Sequence, residues 1–166
     1  MNNYAYIDNQ NLYLATKNAP EPWEVDMKRF MVYLKEKYKV VRAYLFMGAY
    51  DDKFKKRYDM YSNFGYQLMF RQHTDSLTSR KKGNVDTDVV FQMMYDSFYD
   101  KHVDKMILVS GDGDYFKTVK HLLEVDKLER VLLPSRKNAS SLYKALAENR
   151  KALLDKANLK RRIQRK

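Results

Sequence analysis

Apolar residues follow two rhythms along this chain, and the rhythms alternate. Short, nearly continuous apolar stretches occur at Tyr4–Ile7, Val40–Met47, Tyr66–Phe70, Lys105–Val109 and Arg130–Leu133. They are rich in β-branched and aromatic residues and bounded by polar or turn residues, which predicts five buried strands. Between them the apolar positions move to helical spacing. Trp23, Met27, Phe30, Met31, Leu34 and Tyr38 predict a helix over 23–38. Residues 51–64 predict a basic, Tyr-rich helix with Gly65 at its C′ position. Asp88 opens a third helix, with Val89, Val90, Met93, Met94, Ser97 and Phe98 on one face. Tyr115, Phe116, Val119, Leu122 and Leu123 mark a fourth, and a last helix is expected from Ala139 to Leu154. The segment from His73 to Asn84 is polar, has no period and reads as a loop.

Strands alternating with helices predict an α/β fold whose mostly parallel five-stranded sheet is covered on both faces. With 166 residues the chain is long enough for one domain with its own core. That domain is expected over 1–154. A basic C-terminal tail follows over 155–166, with six basic and no acidic residues from Lys156 onward. The tail either continues the last helix or lies as an arm along a phosphate backbone. No apolar run is long enough to span a bilayer, and no signal-peptide pattern opens the chain. The absence of cysteine excludes disulfides, thiolate metal sites and cysteine nucleophiles, and suits a cytoplasmic protein.

Charge narrows the function. Lys plus Arg number 32 and Asp plus Glu 21, a net charge of +11, and the isoelectric point near 9.6 points to nucleic acid. The cations cluster at Lys53–Arg57, Arg80–Lys82, Arg136–Lys137 and the C-terminal tail, while several acids stand where strands end.

Parallel sheets bind ligands beyond the carboxyl ends of their strands, at the switch in strand order. Three segments bring aspartates there: Asp8 ends the first strand, Asp112 and Asp114 follow the fourth, and Asp86 and Asp88 stand at a helix mouth. Two carboxylates ~5 Å apart repel by roughly 3 kcal/mol at an effective dielectric of ~20. Several of them together require protons or a cation. Oxygen ligands without His or Cys select Mg²⁺ or Mn²⁺ over zinc. Each acid also has a structural reading. Asp8 suits an Asx-turn, Thr87 or Asp88 a helix N-cap, and Asp112 and Asp114 the positive end of a helix dipole. Gly111-Asp112-Gly113 is a poor phosphate loop, since Phe116 replaces the third glycine of the usual pattern and two aspartates repel phosphate.

At these residues the chain resembles the NYN domains, a branch of the PIN-like nucleases. The segments that carry the resemblance are Asp8-Asn9-Gln10-Asn11-Leu12, Lys82-Gly83-Asn84-Val85-Asp86 and Ser110-Gly111-Asp112-Gly113-Asp114-Tyr115. Leu133-Pro134-Ser135 resembles the bacterial members. The likeness covers residues 4 to 150. It implies a three-layer α/β/α sandwich and metal-dependent RNA cleavage, with Asp8, Asp86, Asp112 and Asp114 as the metal site and Asp88 as a further ligand. Asn9, Asn11 and Ser110 would hold the carboxylates or touch the substrate. The pattern departs from the bacterial one at Gln92, where an aspartate is often found.

The surrounding cations Arg80, Lys81, Lys82, Lys53, Lys56 and Arg57 are candidate contacts to RNA phosphates. Some of the 14 tyrosines suit stacking on unpaired bases, and most suit the core. The three histidines form no pair with metal-ligand spacing. An exposed Tyr-rich helix face suits a homodimer. Two rival readings remain: a non-catalytic RNA-binding module of the same fold, favoured by Gln92, and a Toprim-like phosphotransfer enzyme, disfavoured because Asp8 stands where that fold needs glutamate.

Overall fold

The computed structural model describes residues 1–72 and 85–166. The first strand, β1 (Asn3–Asp8), is buried throughout and alternates strictly between two faces. Ala5 and Ile7 enter one core, and Tyr4 and Tyr6 enter the other. Strands β2 (Val40–Ala49), β3 (Tyr66–Arg71), β4 (Met106–Val109), β5 (Leu128–Leu133) and β6 (Lys151–Leu153) join it in the order β3-β2-β1-β4-β5-β6. Every neighbouring pair is parallel.

Helices cover both faces, as the three-layer expectation required. On one side α1 (Asn9–Lys17), α2 (Met27–Tyr38) and α6 (Ala157–Ile163) bury Leu12, Phe30, Leu34 and Ile163 against Ala5, Ile7 and Leu45. On the other, α4 (Asp86–Tyr99) and α5 (Phe116–Glu124) bury Val89, Met93, Val119 and Leu122 against Tyr6, Phe46 and Leu108. The remaining helix, α3 (Lys55–Asn63), returns to β3 through Gly65, whose φ of +104° favours glycine.

The architecture departs from the sequence expectation in several places. The sheet has six strands, not five. The expected last helix over 139–154 is instead a 3-10 turn at Ser141–Ala145, another at Glu148–Arg150, and strand β6. Good helix formers lose here to tertiary demands. Leu153 packs into one core and Leu154 into the other, which an extended chain allows and a helix does not. The Leu154 N–H also bonds the Leu133 carbonyl. Residues 157–163 form α6, with Ile163 fully buried, and Gln164 bridges to Val25. The helix expected from Trp23 begins at Met27, because Asp26 caps it by accepting from the Arg29 N–H at 3.1 Å. Helix α1 was not expected, since its Asn-Gln-Asn opening has low helix propensity. Asp8 caps it. On α4, Phe98 is exposed, off the buried face expected of it. Among the described residues no helix is long and apolar enough to cross a membrane.

Candidate metal centre

Strand β1 lies between β2 and β4, so the chain runs outward in opposite directions from the β1/β4 seam. Beyond the carboxyl ends of those two strands the acids collect. One carboxylate oxygen from each of Asp86, Asp112 and Asp114 lies within 4.8 Å of the others. Asp86 and Asp112 are partly buried and Asp114 is exposed, so the trio faces solvent on one side.

Local structure fixes each acid. Asp112 precedes the 3-10 turn Gly113–Tyr115 and accepts from the Asp114 N–H at 2.9 Å. Asp86 and Asp88 occupy the first turn of α4, whose N-cap, Val85, offers no side-chain bond. The cap expected of Thr87 or Asp88 is therefore absent. Asp8 caps α1 by accepting from the Asn11 N–H at 3.0 Å. The positive ends of α1 and α4 thus stand at residues that carry negative charge, which offsets part of their repulsion.

Asp8 stands behind the trio, 4% exposed. Its second oxygen accepts from the Tyr115 hydroxyl at 2.9 Å, and the same hydroxyl lies 3.2 Å from an Asp86 oxygen. A phenol has one proton, so the two carboxylates share it. Burial pushes the Asp8 carboxyl above its ordinary range, and the Asp112 charge adds to this. The hydrogen bonds from Asn11 and Tyr115 oppose the rise. Burial and the adjacent carboxylates also hold the Tyr115 phenol far above its usual value, so it stays protonated.

The turn between β4 and Tyr115 is braced from two directions. The Asn11 side chain accepts from the Gly111 N–H at 2.9 Å, and Ser110, fully buried, accepts from the Asp112 N–H at 3.1 Å. From the other side, Tyr143 donates its hydroxyl to the Asp112 carbonyl at 2.6 Å. Gly113 is required here by contact rather than by φ, because a Cβ would lie 2.6 Å from Ser140 Oγ.

The remaining expected residues fall elsewhere. Asp88 is not among the clustered carboxylates. Asn9 begins α1 and is partly buried. Gln92 donates to Asp96 at 2.9 Å, and that buried carboxylate also takes the Tyr6 hydroxyl at 2.6 Å. Lys53, Lys56 and Arg57 are exposed beyond the carboxyl end of β2, with Lys53 and Arg57 at 5.0 and 5.2 Å from the Phe54 ring centre. Arg80, Lys81 and Lys82 lie outside the described residues. Sequence reasoning missed Tyr115 and Tyr143 as site residues, reading Tyr115 as part of an apolar helix face. The available signal was a phenol placed directly after the Ser-Gly-Asp-Gly-Asp turn.

The donor set is all carboxylate oxygen, with no nitrogen or sulfur ligand in the cluster, which suits a hard divalent cation.

The sequence model of the NYN domain family matches residues 4–150. No curated protein matches the chain. Among solved structures, the crystal structure of a protein of unknown function, VPA0982, from Vibrio parahaemolyticus superposes with a TM-score of 0.75. It is 20% identical, and the match covers 99% of this chain and 96% of that one, a likeness of fold.

Proposed function

Because this chain belongs to the NYN domain family, which is nuclease-like, we propose that it is a divalent-metal-dependent ribonuclease acting on single-stranded regions of RNA. The observation that carries the reading is the convergence of Asp86, Asp112 and Asp114 within 4.8 Å at the β1/β4 seam. These three residues would hold Mg²⁺ or Mn²⁺. A bound ion supplies charge neutralisation at the scissile phosphate and activation of water. Asp8 deepens the negative field from behind the trio, and Tyr115 keeps Asp8 and Asp86 together by sharing one proton between them. Asn11 and Ser110 hold the backbone of the turn that presents Asp112 and Asp114. The net charge of +11 draws a polyanion toward this acidic centre. The family assignment also sets aside the Toprim-like alternative.

The test is cleavage of labelled single-stranded RNA in Mn²⁺, Mg²⁺ or EDTA, with Asp112→Asn alongside. Cleavage that needs metal and disappears in the variant is the expected result. Salt-dependent binding without cleavage in any metal would leave an RNA-binding module of the same fold.

A further inference from the structure

On the far side of the brace around the acidic turn, a cavity of about 450 Å³ opens beside edge strand β6. Its volume is in the range of pockets that hold small ligands. Arg130, Arg136, Lys144, Lys151 and Lys156 line it, against a single carboxylate, Glu148. That acid is spent on Lys151, at 3.5 Å, and is itself 93% exposed. Arg136, Lys144 and Lys156 are exposed and make no side-chain ion pair among the described residues. Arg130 is partly buried, and its Nε is sealed from solvent with no hydrogen-bond partner. Its guanidinium carbon lies 5.6 Å from the Tyr38 ring centre. Five cations against one exposed carboxylate give the cavity a positive lining, which calls for an anion.

The cavity and the acidic turn share the 139–143 segment. Ala139, Ser140 and Tyr143 line the cavity. The Ser140 N–H donates to the Gly111 carbonyl at 2.9 Å, and the Tyr143 hydroxyl reaches the Asp112 carbonyl. We propose that this cavity is a phosphate-binding subsite, in which Arg130, Arg136, Lys144 and Lys156 take a phosphate of the RNA strand whose scissile bond lies at the acidic trio. The subsite rests on the ribonuclease reading for its substrate, while its chemistry suits any nucleotide phosphate. It gives the site a polarity: acids where the bond is cut, cations where the adjoining strand is gripped.

The experiment measures binding of a fluorescent single-stranded RNA oligomer to the full chain in EDTA, across a salt series. Arg136→Gln/Lys144→Gln is compared with Lys28→Gln/Lys37→Gln, which removes the same charge from exposed positions on α2. The subsite predicts that only the first pair flattens the salt dependence, by roughly 0.7 in log–log slope for each phosphate that is no longer neutralised. Competition by AMP separates the sources. Displacement of RNA from the wild type but not from Arg136→Gln/Lys144→Gln marks a terminal or free nucleotide phosphate. Failure to displace, with the slope change kept, marks an internal phosphate of the strand. Equal weakening in the two double variants, no weakening in either, or a wild type that binds neither RNA nor AMP overturns the subsite. Cleavage in Mn²⁺ is read separately. A wild type that binds as expected and never cuts defeats the nuclease reading and leaves the subsite standing. Unchanged binding in a cutting enzyme does the reverse.

Discussion

The Tyr115 hydroxyl donates to the buried carboxylate of Asp8 across 2.9 Å, joining the fourth βα connection to the end of the first strand. The two residues stand 107 positions apart, so this bond ties together the outer reaches of the candidate site. Asp8 has little water around it and depends on that donor.

Tyr115→Phe removes the shared proton and leaves two carboxylates facing one another. A loss of ~1–3 kcal/mol in unfolding free energy is expected for an unsatisfied buried acceptor. Urea titration in EDTA measures it. Divalent ions should recover part of the loss, because a cation can replace the missing proton. A variant as stable as the wild type would show that the phenol does not hold the acids.

The pH dependence follows from the raised Asp8 carboxyl. The folded state holds its proton more tightly than the unfolded chain does, so Asp8 favours folding at low pH. Its contribution is lost as pH rises from the unfolded value of ~3.9 through the higher folded value. Asp8→Asn should therefore unfold at a higher temperature than the wild type in metal-free buffer at neutral pH, while losing cleavage. A lower melting temperature at neutral pH would contradict burial as the main cause of the shift.

The carboxylates divide by position. Asp86→Asn should weaken binding of Mn²⁺ strongly, by about tenfold or more, since it removes one of three clustered carboxylates. Asp88→Asn should change it little, although both residues lie in the first turn of α4. Titration calorimetry on the two variants distinguishes them. Equal weakening would return Asp88 to the ligand set expected from the sequence.

Gly113→Ala places a methyl 2.6 Å from Ser140 Oγ and 3.2 Å from Leu142 Cδ1. Overpacking of this kind costs ~1–3 kcal/mol. Ser140→Gly removes the nearest atoms and should restore part of the stability. A double-mutant cycle on thermal stability reads the coupling, and additive effects would mean that the turn and the 139–143 segment yield independently.

Gln92→Asp tests the departure from the bacterial pattern. The Gln92 amide donates to Asp96, which lies ten residues along α4 from Asp86, ~15 Å at the rise of an α-helix. An aspartate there would confront a buried carboxylate without a donor, and the protein should be less stable at neutral pH. A gain in metal affinity would show instead that position 92 reaches the acidic cluster.

The β-rich core and the convergence of Asp86, Asp112 and Asp114 were legible because both follow from short-range rules. Apolar runs mark buried parallel strands, and acids directly after such a strand, as at Asp112 and Asp114, or at the mouth of a helix, as at Asp86, fall at one edge of the sheet. Helix α1 was hidden because its stability comes from the Asp8 cap and from burying Leu12, which a reading of propensity does not weigh. The segment 139–154 misled in the opposite sense. Its residues favour a helix, yet Leu133 offers its carbonyl to Leu154 and the turn at Asp112 needs the Tyr143 hydroxyl. Tyr115 was placed on the correct buried side but read as packing, since a phenol among apolar neighbours shows its polar end only when its partners are known. The spread of the cations was visible as composition, but the cavity at β6 depends on a strand that periodicity did not reveal.

The brace formed by Ser140 and Tyr143 has a temporal meaning for a chain synthesised from its N-terminus. The aspartates at 8, 86, 112 and 114 leave the ribosome before the segment that steadies the turn carrying the last two. A nascent chain stopped short of residue 143 owns every acid and lacks the Tyr143 hydroxyl bonded to the Asp112 carbonyl. The turn is then held from one side alone, by Asn11 and Ser110. The full brace on the Asp112 turn thus becomes available only once residue 143 has been made, after strands β1 to β5 and all four of these aspartates, and before edge strand β6.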